Sequence, residues 1–223
     1  MADAVALCEA MVAHGIKQAV ATPHILPGRY DNNLESITAV WVALVDELKK
    51  QKVALHLGMA AEVRLDSAIP KMISQGEIPF LGEHDGKPVL LLELPHTHIP
   101  PGSLEFVNWC FKEGIQPLIA HPERNGDVEN KLEKIKPFVE AGCLLQITAA
   151  SLAGTFGPEP KKRGIQMLKQ GWVHILATDT HNLEKRRPQL KVGRDVAEKY
   201  VGRKQSWEMV IDRPLAIAKG HFH

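Results

Sequence analysis

Six imidazole or carboxylate side chains in this sequence each close or directly follow a short apolar run. They are His24 after residues 18–22, Glu62 after 55–60, Glu93 within 89–94, His121 after 117–120, and Asp179 and His181 after 174–178. Three imidazoles with three carboxylates make a donor set suited to Mn²⁺, Fe or Zn²⁺. A carboxylate set between two imidazole sites can bridge metals, and a bridging hydroxide is the usual nucleophile of such a cluster. Any one strand-end histidine is most simply a hydrogen-bonded structural residue, and Glu62 alone could be a helix N-terminal charge. Asp179-x-His181 carries more weight, because two residues so spaced at a strand end can both reach one centre. Arg124 and Arg186 follow two of these segments and could clamp a phosphate. Arg186 is flanked by Lys185 and Arg187, which is also how a plain surface arginine reads.

Other chemistries fail on spacing. A cysteine-dependent phosphatase needs arginine six positions after the nucleophile, but Cys8, Cys110 and Cys143 are followed there by His14, Gln116 and Ala149. All three cysteines lie in helix or strand patterns and read as core. The sequence holds no G-x-x-x-x-G-K-[ST], G-x-G-x-x-G or G-x-S-x-G segment, and no paired C-x-x-C motifs. His96 and His98 lie past a strand end and read as mouth-loop residues rather than ligands. His14, His56, His84 and His174 fall at helix ends, strand starts or a turn, and His221 and His223 in a tail.

Elements must exist to bring the six residues together. The apolar runs at 18–22, 55–60, 89–94, 117–120, 144–148 and 174–178 are short enough for strands buried on both faces. Between them residues 34–50 place Ile37, Val40, Trp41, Leu44, Val45 and Leu48 at helical spacing, and 104–112, 128–140 and 160–169 behave alike. Four helix exits carry a glycine followed by an apolar residue: Gly15-Ile16, Gly114-Ile115, Gly142-Cys143 and Gly171-Trp172. Alternating β and α elements predict a parallel sheet, with chemistry where the strands run out at their C-terminal ends. The fifth strand, ending at Thr148, offers only weaker ligands. The chain opens on a helix whose apolar face holds Ala4, Val5, Leu7, Met11 and Val12, whereas a closed β/α barrel opens on a strand. The expectation is one domain, 1–223, that lacks an upstream first strand.

Composition narrows the class. Of 223 residues, 27 are Lys or Arg and 26 Asp or Glu, a formal net charge of +1 that gives no footprint for nucleic acid. Apolar runs are strand-sized, so no transmembrane segment is expected. Met1-Ala2-Asp3-Ala4 opens no signal peptide, and three cysteines, an odd and small number, suit a reducing cytoplasm.

Segments 21–24 (ATPH), 58–62, 92–93, 119–124 (IAHPER) and 178–183 (TDTHNL) resemble, in order, the motifs of the polymerase and histidinol phosphatase (PHP) superfamily. The match is to its branch of bacterial manganese-dependent protein-tyrosine phosphatases of capsular and exopolysaccharide biosynthesis. The resemblance implies a distorted (β/α)7 TIM-like barrel holding two or three ions, Mn²⁺ first, with Fe or Zn²⁺ as alternatives. It implies His24, Glu62, Glu93, His121, Asp179 and His181 as metal ligands, with Arg124 and Arg186 on the phosphoryl group. It implies hydrolysis of protein phosphotyrosine by a metal-bound hydroxide, the partner being a bacterial tyrosine kinase of polysaccharide export. The family opens with D-x-H-x-H, and no such motif stands in this chain. That agrees with the expected missing strand, and leaves two alternatives: a catalytically impaired phosphotyrosine-binding module, or a small-molecule phosphatase of the histidinol-phosphate kind.

Overall fold

The structure, a computed structural model, describes residues 1–222; His223 lies outside the described residues. Helix α1 (Ala2–Ala13) leads into β1 (Gln18–Ala21) and β2 (His24–Ile25), and α2 (Leu34–Lys50) crosses to β3 (His56–Met59) and β4 (Glu62–Arg64). β1 pairs with β3 and β2 with β4, both parallel, so each pair of segments behaves as one long strand with a short break. The first break falls at Thr22-Pro23, where proline brings no N–H to the ladder. After α3 (Ile69–Ser74), β5 (Glu83–His84) forms a small antiparallel pair with β6 (Lys87–Glu93). Then follow α4 (Ser103–Lys112), β7 (Gln116–Ala120), α5 (Gly126–Asn130), α6 (Lys136–Glu140), β8 (Leu144–Thr148), α7 (Ala149–Ala153), α8 (Pro158–Lys169), β9 (Val173–Ala177), α9 (Leu190–Glu208) and α10 (Asp212–Ala218).

The parallel ladder runs β2-β4-β6-β7-β8-β9, in chain order. All six expected strands are present to within two residues. Both sheet faces are covered, as continuous apolar strands require. Val89, Leu91, Leu118, Ala120 and Ile175 pack on one side. Leu92, Ile119, Leu145, Ile147 and Leu176 pack on the other, in the cluster that takes Met167 and Leu168 from α8. The ends of the arc curl toward each other: the His24 ring, on β2, lies 6.2 Å from that of His181, just past β9. Among the described residues β9 pairs with neither β1 nor β2, so the ladder is an open arc.

The four glycine exits are left-handed, with φ of 84°, 74°, 98° and 70° at Gly15, Gly114, Gly142 and Gly171. In each, the following apolar residue donates its N–H back into the last turn. Ile16 reaches Met11, Ile115 reaches Cys110, Cys143 reaches Phe138 and Trp172 reaches Met167, at 2.8–3.1 Å. These are Schellman closures that aim the chain into the next strand.

Two expectations need correcting. Residues 128–140 are not one helix: α5 ends at Asn130, Lys131 is extended, a 3₁₀ turn spans Leu132–Lys134, and α6 restarts at Lys136. Pro137 removes a donor that a continuous helix would need. His221 is no free tail. Its Nε2 lies 3.1 Å from the Leu81 carbonyl, and a Cβ on Gly58 would come within 2.6 Å of its own Cβ. No helix among the described residues is long and apolar enough to cross a membrane.

Candidate metal centre

Strand register builds the site. His24 pairs with Glu62 across β2 and β4, and Arg64 pairs with Glu93 across β4 and β6. Glu93 in turn faces Ala120 of β7, and His121 is the next residue. These C-terminal ends therefore deliver their side chains to one mouth.

Glu93, 1% exposed, stands at the centre. Arg64 Nε donates to its Oε2 at 2.7 Å, and His24 Nδ1 lies 3.8 Å from the same oxygen. On the other side His96 Nε2 and His121 Nε2 lie 3.5 and 3.6 Å from Oε1. Two groups of donor atoms thus lie within 4.8 Å of one another: His24, Glu62 and Glu93, and Glu93, His96 and His121. Glu93 belongs to both, as a bridging carboxylate must.

Buried His121 and Glu62 meet at 2.8 Å, Nε2 to Oε1. Burial pulls the His121 imidazole down, but the hydrogen bond and charge of Glu62 outweigh it and the net shift is upward. Burial pushes the Glu62 carboxyl up, and its bond to His121 reverses this to a net lowering. Without metal the two therefore favour an ion pair. His96 stacks on His121 with ring centroids 5.4 Å apart. Burial, then the charges of His121, Arg124 and Arg64, push its imidazole down to about 4. It stays neutral at physiological pH and keeps a free lone pair.

The donors fit a cation on their own geometry. His24 Nδ1 is buried without a hydrogen-bond partner and faces Glu93. An orphaned buried acceptor or donor costs about 1–3 kcal/mol, which a bound cation would remove. Mixed imidazole and carboxylate donors suit Mn²⁺, Fe or Zn²⁺.

Asp179 and His181 stand on the rim. His181 Nδ1 lies 3.5 Å from Asp179 Oδ1. Burial, then the charge of Arg186, lower the His181 pKa. Asp179 Oδ2 accepts from Arg124 Nη1 at 2.6 Å and also from Arg186 Nη2. Neither rim residue falls within the two tight donor groups. His121 and Asp179 both take left-handed backbones, with φ of 32° and 48°. Such conformations cost about 1–3 kcal/mol each and persist where surroundings over-determine them. For His121 the pins are its N–H donating to the Gln146 carbonyl at 2.7 Å and its carbonyl accepting from Arg124 N–H at 3.0 Å.

β8 supplies a brace instead of a ligand. Glu123 is fully buried, its Oε1 accepting from Thr148 N–H at 2.9 Å and Ser151 Oγ at 2.7 Å. Burial pushes its carboxyl up. The thiols are equally remote from chemistry: Cys8, Cys110 and Cys143 are buried, and burial pushes the last two up to about 12.

Sequence reasoning passed over Arg64 and set His96 aside. Arg64 had a signal, since Glu62-x-Arg64 alternates on one strand face. His96 is on the mouth loop as expected, and Gly126 N–H donating to its carbonyl at 2.7 Å holds that loop over Glu93. His98 turns away and bonds Thr97.

The description "Capsular polysaccharide synthesis, CpsB/CapC" matches residues 1–219. The chain is 30% identical to tyrosine-protein phosphatase YwqE of Bacillus subtilis over 90% of this chain and 78% of that protein. It is 32% identical to the putative tyrosine-protein phosphatase CapC of Staphylococcus aureus, over 85% and 73%. It is 28% identical to tyrosine-protein phosphatase CpsB of Streptococcus pneumoniae, over 91% and 84%. Its fold superposes on a solved structure from work on YwqE and CpsB, described as unique metal-dependent tyrosine phosphatases. The TM-score is 0.89 at 26% identity, covering 98% of this chain and 87% of that one.

Proposed function

Because this chain belongs to the CpsB/CapC family of capsular polysaccharide synthesis, we propose that it is a metal-dependent protein-tyrosine phosphatase. The observation that carries the reading is Glu93, one buried carboxylate shared by two tight groups of metal-type donors. His24, Glu62, Glu93, His96 and His121 would hold the ions, with Asp179 and His181 closing the rim. Mn²⁺ is our first choice of metal, on the mixed donor set and the family resemblance. Bound metal supplies Lewis acidity and an acidified water as nucleophile. Arg64 orients the shared carboxylate through its Nε–H bond to Oε2. Arg124 and Arg186 hand their N–H donors from Asp179 to the phosphoryl oxygens, binding the monoester and offsetting charge as it develops. The side chains of His24, His96 and His181 are 31%, 48% and 39% exposed, so a tyrosine on a protein surface can approach the strand ends.

The substrate we infer is a tyrosine-phosphorylated protein, and by family resemblance a bacterial tyrosine kinase of polysaccharide export, met in the cytoplasm. We read residues 1–223 as one domain and the arc as a distorted barrel of the PHP type. Consecutive strand order and the close approach of His24 to His181 support that reading.

The test is hydrolysis of p-nitrophenyl phosphate and of a phosphotyrosine peptide, with chelator and iodoacetamide as separate treatments. Activity should vanish in excess chelator, return with Mn²⁺ and survive alkylation, since the thiols are buried and protonated. Turnover that persists in chelator, or is abolished by iodoacetamide, overturns the proposal. Tight peptide binding without turnover would select the binding-module alternative instead.

A further inference from the structure

The strand end that lacks a ligand contributes something else to the mouth. From β8 the chain runs through α7 into a tight turn, Gly154-Thr155-Phe156-Gly157. Gly154 and Gly157 have φ of 92° and 99°, and Gly157 N–H donates to the Gly154 carbonyl at 3.1 Å. Thr155 N–H donates back to Ala150 at 3.0 Å, so the turn is fixed on the end of α7. It presents the half-buried ring of Phe156 to both rim arginines. The Arg124 guanidinium carbon lies 4.4 Å from the ring centroid, and that of Arg186 5.9 Å.

We propose that Phe156 is a positioning residue whose ring holds the Arg124 and Arg186 guanidiniums in the orientation that receives a phosphate dianion. The inference rests on the phosphatase reading above. Both arginines now share one oxygen, Asp179 Oδ2, and Arg186 Nε is buried with no partner. That buried donor is left available for an anion. When the arginines turn their N–H groups to a phosphoryl group, they give up hydrogen bonds to the carboxylate. An aromatic face attracts a guanidinium through its quadrupole and uses none of its N–H donors. It can therefore keep both cations at the mouth while their hydrogen bonds change hands. Two like charges side by side repel, and a ring touching both opposes that splaying. A merely apolar neighbour would fill the space without this attraction.

The experiment compares wild type, Phe156→Leu, Phe156→Tyr and Phe156→Trp, each purified with Mn²⁺ present. Titration calorimetry with inorganic phosphate, metal content, melting temperature, and KM and kcat for p-nitrophenyl phosphate are the readouts. Phe156→Leu should weaken phosphate binding about three- to thirtyfold, the range of one cation–π contact from exposed to desolvated. KM should rise more than kcat falls, with metal content unchanged. Phe156→Tyr and Phe156→Trp should restore phosphate binding to within about threefold of wild type. If Phe156→Leu binds phosphate as wild type does, or if Tyr and Trp rescue no better than Leu, the inference is overturned. If Phe156→Leu loses metal or fails to fold, the two aromatic variants decide: phosphate binding clearly below wild type in both overturns it. A wild type that binds phosphate but does not turn over substrate would sink the phosphatase reading while leaving this test intact.

Discussion

Replacing Glu93 by glutamine keeps the side chain's shape and removes its charge, so it isolates the role of a shared carboxylate. In the metal-free protein the change takes the charge from the acceptor of the 2.7 Å bond donated by Arg64, whose side chain is 20% exposed against 2% for Glu93, and leaves a weaker bond to an amide oxygen. A hydrogen bond to a charged group contributes about 1.5–3 kcal/mol, and partial exposure of Arg64 puts the loss toward the lower end. Part of that is offset, because a neutral amide costs less to bury than a carboxylate. The metal-free stability should therefore fall by only about 1 kcal/mol. Metal binding should suffer far more. Glu93 is in both donor groups, so each loses its shared anionic donor and keeps only a neutral amide oxygen in its place. Losing a mere outer-sphere partner of a ligand already costs about 10–100-fold in affinity. Losing the bridging donor should cost at least about 100-fold at both positions, or roughly 2.7 kcal/mol each. His96→Ala is the control, since it disturbs one group and leaves His24, Glu62 and Glu93 whole. Mn²⁺ titration calorimetry and metal content of the purified proteins read both variants. Glu93→Gln should lose all tightly held metal, and His96→Ala only the share of one position. A Glu93→Gln protein with full metal content and affinity within a few-fold of wild type would refute the bridging geometry.

Three further outcomes follow from the same structure. The raised His121 pKa means a proton must leave before that imidazole can ligate. Mn²⁺ affinity should thus climb with pH, by up to about tenfold per unit while one proton is displaced, and level off above the His121 pKa. Calorimetry in buffers of differing ionisation enthalpy counts that proton; flat affinity from about pH 6 to about pH 8 would contradict the ion pair. In the metal-free protein the pair's stabilisation should disappear as pH rises through the raised His121 value, and also as it falls through the lowered Glu62 one. Elsewhere, Gly193 packs where a Cβ would stand 2.5 Å from Ala149 Cα and 2.6 Å from its carbonyl oxygen. Backbone atoms of α7 cannot yield easily, so Gly193→Ala should destabilise by about 3 kcal/mol, or roughly 6–12 °C in melting temperature. An unchanged melt would mean that α9 slides freely against α7.

The legible parts were those governed by short-range rules. Strands buried on both faces read as apolar runs, and Gly15, Gly114, Gly142 and Gly171 marked helix ends because only glycine takes that conformation cheaply. That the strand-end imidazoles and carboxylates would meet at one mouth was legible because parallel sheets deliver their C-terminal ends together. Long-range pairing hid the rest. Nothing local shows that Arg64 lies in register with Glu93, or that the loop after β6 returns His96 over it. Phe156 carried no signal at all, since its partners come from the turns after β7 and β9. Helix α9 was obscured by a polar sequence whose Gly202, at φ 80° and ψ 167°, breaks the helical run.

The distribution of cost across the molecule argues for where its function lies. The clusters beneath the mouth are apolar and well covered, and there side chains follow burial alone. At the strand ends the pattern reverses. Glu62, Glu93, His121 and Glu123 are buried, His24 Nδ1 and Arg186 Nε lack partners, and His121 and Asp179 hold unfavourable backbones. An apolar replacement at the buried positions would relieve desolvation, and glycine at 121 and 179 would relieve the backbone strain, so folding alone gives no reason for the arrangement. Apart from Glu123, which braces Thr148 and Ser151 from inside the fold, these residues all stand at the one mouth. A bound cation would satisfy His24 and shield Glu62 from Glu93, and a bound anion would engage Arg186. The strain and the orphaned donors are thus complementary to a metal phosphate, and that complementarity gives the mouth the character of a site rather than of a poorly packed sheet end.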